Sequence, residues 1–122
     1  FPLDPQSRPR SGAAAKSRTY TEVTAMPLVT KEIRQQLPAL YSQEGNPDPL
    51  AVVRFYDQLG DWNWYATEFD GSHLFFGVVL GFERELGYFS LLELERANRE
   101  AGFDRIIRDL YFAPTRVSQI HR

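Results

Sequence analysis

From Leu50 to Phe82 the chain alternates and then saturates in apolar residues, and this pattern sets the fold. Leu50 to Asp57 alternates, with Val53 and Phe55 on one face and Val52, Arg54 and Tyr56 on a more exposed one, so it predicts a strand, placed at the sheet edge. Trp62 to Phe82 reads as two long strands around a two-residue Asp70-Gly71 turn, because a type I′ turn needs positive φ at both central positions. The register that follows sets Glu68 opposite His73, Trp64 opposite Gly77 and Trp62 opposite Val79. Leu74 to Phe82 is apolar on both faces, which predicts an inner strand covered on both sides. One of those faces carries Leu74, Phe76, Val78, Leu80 and Phe82; the other carries Phe75, Gly77, Val79 and Gly81 and leaves room for something large.

Helical signals flank this centre. Thr30 caps a short helix, Lys31 to Leu37, that ends at Pro38. Ala39 to Tyr41 is expected on the core, and Ser42 to Pro49 is a loop of turn formers. Glu83 to Gly87 reads as a turn and Tyr88-Phe89 as a short strand. Ser90 and Glu93 form a capping box for a helix that Gly102 ends. Its expected buried stripe is Leu91, Leu94, Ala97 and Ala101, with Glu95 and Arg99 paired on the wet side. Asp104 to Arg108 fits no single element, Arg108 to Phe112 reads as a last strand, and Thr115 to Arg122 as a loose end. The sum is an α+β fold: an antiparallel sheet of four to five strands with a central Asp-Gly hairpin and two helices packed on it, the capped helix on the glycine-containing face.

Length and charge narrow the organisation. A chain of 122 residues has room for one proper core. Residues 1–25 are rich in Pro, Ser, Arg and small residues without apolar period, and predict a disordered or vector-derived leader ahead of a single domain over 26–118 and a loose end at 119–122. That leader carries a net charge of +2 and the remainder −4, which argues against broad binding to a phosphate backbone. There is no cysteine, so disulfides and thiol chemistry are excluded and a cytoplasmic location is expected. No apolar run is long enough to span a membrane, and no membrane association is expected.

Candidate chemistry is sparse. Glu68 and His73, opposed near the hairpin tip, have the residue types of an acid–base or metal-ligand pair, but no third ligand or nucleophile stands at a telling spacing, so a surface ion pair is the plainer reading. Asp57 and Asp61 belong at the opposite end of the hairpin from Glu68 and Asp70, so the four carboxylates cannot share one ion. No P-loop, EF-hand, dinucleotide fingerprint or nucleophile elbow occurs, and neither enzymatic activity nor a cofactor or metal is expected. Arg54, Tyr56, Trp62, Trp64 and Tyr65 have the composition of a base-stacking platform, against which stands the tendency of large rings in a small domain to be core. The carboxylates Glu83, Glu85, Glu93, Glu95 and Glu100, interrupted by Arg84, Arg96 and Arg99, make a poor mimic of DNA phosphates.

Several segments taken together carry a resemblance: Leu40-Tyr41-Ser42-Gln43-Glu44, Trp62 to Gly71, Leu74-Phe75-Phe76-Gly77, Leu86 to Leu91 with Glu93-Leu94, and Arg108 to Phe112 with Pro114. In this order they resemble the DUF2958 family, small bacterial proteins that often travel on plasmids and integrative elements. The resemblance implies an accessory role on a mobile element and supplies no catalytic residues. The expectation is a non-enzymatic binding protein acting on a protein partner. A single-stranded nucleic-acid binder using the aromatic hairpin is the alternative, and a small metal-dependent enzyme comes third. Pairing of two copies through the edge strand is also open.

Overall fold

The computed structural model describes residues 27–122, and the leader expected over 1–25 lies outside them. In chain order the elements are α1 (Lys31–Gln36), β1 (Leu50–Ala51), β2 (Val53–Asp57), β3 (Asn63–Phe69), β4 (Leu74–Leu80), β5 (Arg84–Ser90), α2 (Leu91–Ala101), β6 (Ile106–Arg108), β7 (Thr115–Arg116) and a 3₁₀ turn, Val117–Gln119. The fold is α+β, with β5-β4-β3-β2-β6 forming a five-stranded antiparallel sheet and β1 pairing with β7 beside it.

The local signals hold where the chemistry is local. Thr30 caps α1 by accepting the Ile33 amide, Ser90 caps α2 by accepting the Glu93 amide, and Gly102 closes α2 in the left-handed conformation at φ 80°. The stripe of α2 differs at one place: Asn98 is buried and Ala101 is exposed. Asn98 donates to the Ile106 carbonyl at 2.9 Å and accepts the Ile106 amide at 2.7 Å, so its amide mimics a neighbouring strand and fixes β6 to the helix. Along this helix Arg96 pairs with Glu100.

One face of the sheet meets α2, and it is the glycine-containing face. Phe75 lies at its centre, stacked between Phe69 at 4.4 Å and Phe89 at 4.9 Å and tilted against Phe55 at 5.4 Å. Trp64, Ala66, Leu91, Leu94, Ala97 and Ile106 join that core, with Leu28, Leu37 and Val53. The other face is covered differently. Val78 and Leu80 pack with Ala51, Val117 and Ile120, flanked by Tyr65 and Phe112. The end of the chain, expected to be loose, is therefore docked. Arg84 donates to the Val117 and Ile120 carbonyls, and Arg122 donates to the Leu80 carbonyl.

Other expectations are corrected. The strand at 50–57 is not an edge: β2 lies between β3 and β6, and the strand is interrupted at Val52, where β1 leaves to pair with β7. The edges are the three-residue β6 and β5, and β5 runs seven residues through the segment read as a turn. Exposed strands with mixed polar residues lack the apolar alternation by which a strand is recognised. The last strand of this sheet is β6, ending at Arg108, and Asp109 to Tyr111 turns away from it. The Asp70-Gly71 hairpin is a wider turn. Asp70 hydrogen-bonds back to the Leu74 carbonyl, and its carboxylate collects the amides of Ser72, His73 and Leu74 while Gly71 takes φ 88°. Three amides on one carboxylate stabilise residues 71–73 as the loop over a two-residue turn.

The register shifts with it. Trp64 pairs with Val79, and Ala66 pairs with Gly77, where an added Cβ would overlap the Tyr65 carbonyl. The ring-over-glycine contact occurs elsewhere, at Trp62 over Gly81. Between Ala66 and Glu68 the ladder bulges, so that Thr67 is the extra residue and Glu68 pairs with Phe76.

Candidate functional site

The bulge at Thr67 decides what the second face of the sheet presents. With strict alternation, Glu68 would share the α2 face with Ala66. The extra residue instead lets Ala66 and Phe69 both remain in the α2 core, while Thr67 and Glu68 line a groove on the other face. Thr67 donates its hydroxyl to the Phe76 carbonyl at 3.0 Å, satisfying the bulged ladder.

Glu68 is buried, and its carboxylate organises the chain opposite. Oε1 accepts the Tyr41 amide at 2.9 Å and Oε2 accepts the Gln43 amide at 2.8 Å. Just before this loop, Pro38 accepts the Phe69 amide and Ala39 forms a parallel bridge to Phe69. Tyr41 adopts φ 69°, a left-handed conformation that costs an ordinary residue of this kind about 1–2 kcal/mol. That conformation turns the Tyr41 side chain outward, so Tyr41 is exposed rather than packed on the core as the sequence suggests. The far end of the loop is tied to the chain terminus: Asp48 accepts the Ser118 amide and hydroxyl, and Val117 donates its amide to the Pro49 carbonyl.

Between this loop and the sheet lies a groove of about 420 Å³. Its floor is Thr67, Glu68 and Phe76, and its walls include Tyr41, Glu44, Leu86 and Tyr88. Leu86 and Tyr88 belong to β5, so the groove opens onto the free strand edge; they are 56% and 51% exposed, and Tyr41 is 59% exposed. The charged side chains of the lining, Glu44 and Glu68, are both acidic. The Tyr88 hydroxyl is held above its ordinary pKa by its hydrogen bond with Tyr41, by burial, and by the negative field of Glu68 and Glu44.

The residues singled out from sequence do not form one site. Trp64 is in the α2 core, and Trp62 lies at its margin, over Gly81 and edge-on to Phe82. Arg54, Tyr56 and Tyr65 lie on the opposite face. There Arg54 donates to Asn63 and Asp109 and stacks 4.4 Å over Tyr56, so its charge is already engaged. Glu68 and His73 are not opposed. His73 lies exposed in the turn, 3.8 Å from Asp70. Asp57 is also occupied. Burial raises its pKa, but the two-pronged bond from Arg105 and the Leu59 amide outweigh that and leave it below its usual value.

Of the groove, sequence reasoning found Glu68 and missed Tyr41, Glu44, Leu86 and Tyr88. Their one signal is that they fall within the segments that carry the family resemblance. Among the described residues no three His, Asp or Glu side chains cluster as metal ligands, and no helix is long and apolar enough to cross a membrane. No curated protein and no solved structure matches the chain. A model of the family described as "Protein of unknown function (DUF2958)" matches residues 28–120, and with that span covering most of the sequence the chain belongs to this family.

Proposed function

We propose that this chain is a non-enzymatic binding protein that acts on a protein partner, which it engages along the outer edge of β5 and the groove beside it. The observation that carries this reading is the edge itself. β5 ends the sheet, no strand among the described residues pairs with its outer side, and Leu86 and Tyr88 stand exposed on it. A seven-residue edge offers main-chain donors and acceptors to an added strand, and the adjoining groove offers specificity for alternate side chains. The accessory role on a bacterial mobile element rests on the family resemblance. A nucleic-acid platform is less well supported, because Trp64 is core, Arg54 is paired, and the groove carries carboxylates that repel phosphate.

The test is a pull-down from host lysate with nuclease, using the whole chain and its Leu86→Lys variant. Lysine at an exposed edge position opposes strand addition without touching the core. A protein recovered by the parent chain and lost from the variant is the expected result. Equal recovery by both, or recovery of nucleic acid alone, overturns the reading.

A further inference from the structure

We infer that the groove beside β5 takes a cationic side chain, an arginine or lysine carried by an extended segment of the protein partner. The inference rests on the β5-edge reading above and adds the chemistry of what is recognised.

Three observations converge on it. The first is charge. Glu68 is buried with a carboxylate whose hydrogen bonds come from the main-chain amides of Tyr41 and Gln43, and among the described residues no guanidinium or ammonium pairs with it. Each carboxylate oxygen accepts one amide and retains a further acceptor site. Glu44 stands at the rim with no basic side chain in the lining to balance it. The second is shape. Tyr41 and Tyr88 in the walls and Phe76 in the floor supply aromatic surface around those carboxylates, and aromatic faces attract cations, most strongly where water is partly excluded. Arg84, the basic residue of β5, turns away to the carbonyls of Val117 and Ile120. The third is periodicity. A strand added to β5 sends alternate side chains to the face that carries Leu86 and Tyr88, so one residue in two of an extended segment reaches the groove while its main chain pairs along the edge. The volume of about 420 Å³ holds one long side chain and its neighbours, and is small for a folded element.

The test uses two capped peptides, Thr-Val-Arg-Val-Thr and the same sequence with citrulline for arginine, titrated into the isotopically labelled whole chain and followed by amide chemical shifts. Citrulline keeps the shape and removes the charge. The arginine peptide is expected to bind about tenfold more tightly, the range of one charge-assisted hydrogen bond, with shifts centred on Tyr41, Gln43 and residues 86–88. Glu44→Gln, at an exposed rim position, is expected to cut that preference severalfold without unfolding the chain, and Tyr88→Ala to weaken both peptides. Equal affinity for the two peptides overturns the cation assignment and leaves edge binding intact. Absence of shifts at millimolar peptide overturns it too, and a partner still lost from Leu86→Lys in the pull-down then separates that failure from failure of the β5-edge reading. Concentration-dependent shifts in the free chain identify a second copy as the occupant and overturn the assignment as well.

Discussion

The two faces of this sheet are built from the same strands and closed by opposite means. The α2 face is sealed by regular structure. A capped helix lays Leu91, Leu94 and Ala97 on a stack of phenylalanine rings, and apolar contact fills the space. The other face is roofed by the loop 41–49 and the short elements of 115–122, which pack Val117 and Ile120 on Val78 and Leu80 at one end and elsewhere rest on polar anchors: Glu68 on two amides, Asp48 on Ser118, Arg84 on two carbonyls. Side chains in a core fill space because dispersion rewards density. Hydrogen-bonded anchors fix positions without filling what lies between, and the groove is what they leave. A face closed by anchors is where a small domain can keep a binding site without opening its core.

The sharpest way to break this comparison is to truncate neighbouring rings on the two faces. Phe75→Ala is expected to cost about 3–5 kcal/mol of unfolding free energy, as removal of a fully enclosed ring does. Phe76→Ala, on the half-buried floor of the groove, is expected to cost about 1–2 kcal/mol because its surroundings are already open. Urea unfolding compares the two, and equal losses would show that the groove face is packed as densely as the core. Next in size is Glu68→Ala, expected to cost about 2–3 kcal/mol by leaving two amides without their acceptor. The same variant should shift the amide resonances of Tyr41 and Gln43 and spare those of α2.

Acid sharpens the comparison further, since each face has a carboxyl held below the ordinary value of 3.8: Asp57 on the α2 side, where the Arg105 and Leu59 bonds outweigh burial, and Asp48 at the end of the roofing loop, through its bonds from Ser118. A folded-state pKa below the unfolded one means that the stabilisation is complete above about pH 4 and is lost as pH falls through the depressed value. Asp57→Asn is expected to flatten the fall in stability between about pH 4 and pH 2. Asp48→Asn should flatten it less, because its pair is solvent-exposed and screened. Urea midpoints measured across that range decide the order. The smallest expected effect is a gain. Tyr41→Gly removes a side chain from a left-handed position and should stabilise by about 0.5–1 kcal/mol. It would also strip one aromatic wall from the groove, so stability and peptide affinity should move in opposite directions.

Much of the α2 face was legible in the sequence because its determinants are local or periodic. Caps at Thr30 and Ser90, the stop at Gly102, the alternation of β2 and the apolar run of β4 each need only a few neighbouring residues to read. The groove face was not, and for one recurring reason. Its features depend on pairings between distant residues. The bulge at Thr67 is invisible because threonine and glutamate at successive positions also fit a plain strand. The docking of Val117 and Ile120 depends on a partner surface formed by residues some forty positions earlier, and the span of β5 is masked by its polar exposed positions. Tyr41 looked like core because its ring is apolar, and nothing nearby in sequence announces a positive φ.

The pairing of β1 with β7 joins Leu50 to Arg116 and so closes the five-stranded sheet and α2 into one loop. Contacts between distant residues form late, because chain-closure entropy must be met before they gain anything. The β2 to β5 meander assembles from adjacent strands, so the floor of the groove exists before its outer wall does. The same order run backwards makes the terminal segment the first part to open in the native state. Amides at residues 115–120 should then exchange with solvent faster than those of β3 and β4, and a ligand seated in the groove should slow them. The roof of the site thus reports on its occupancy through the timing of its own opening.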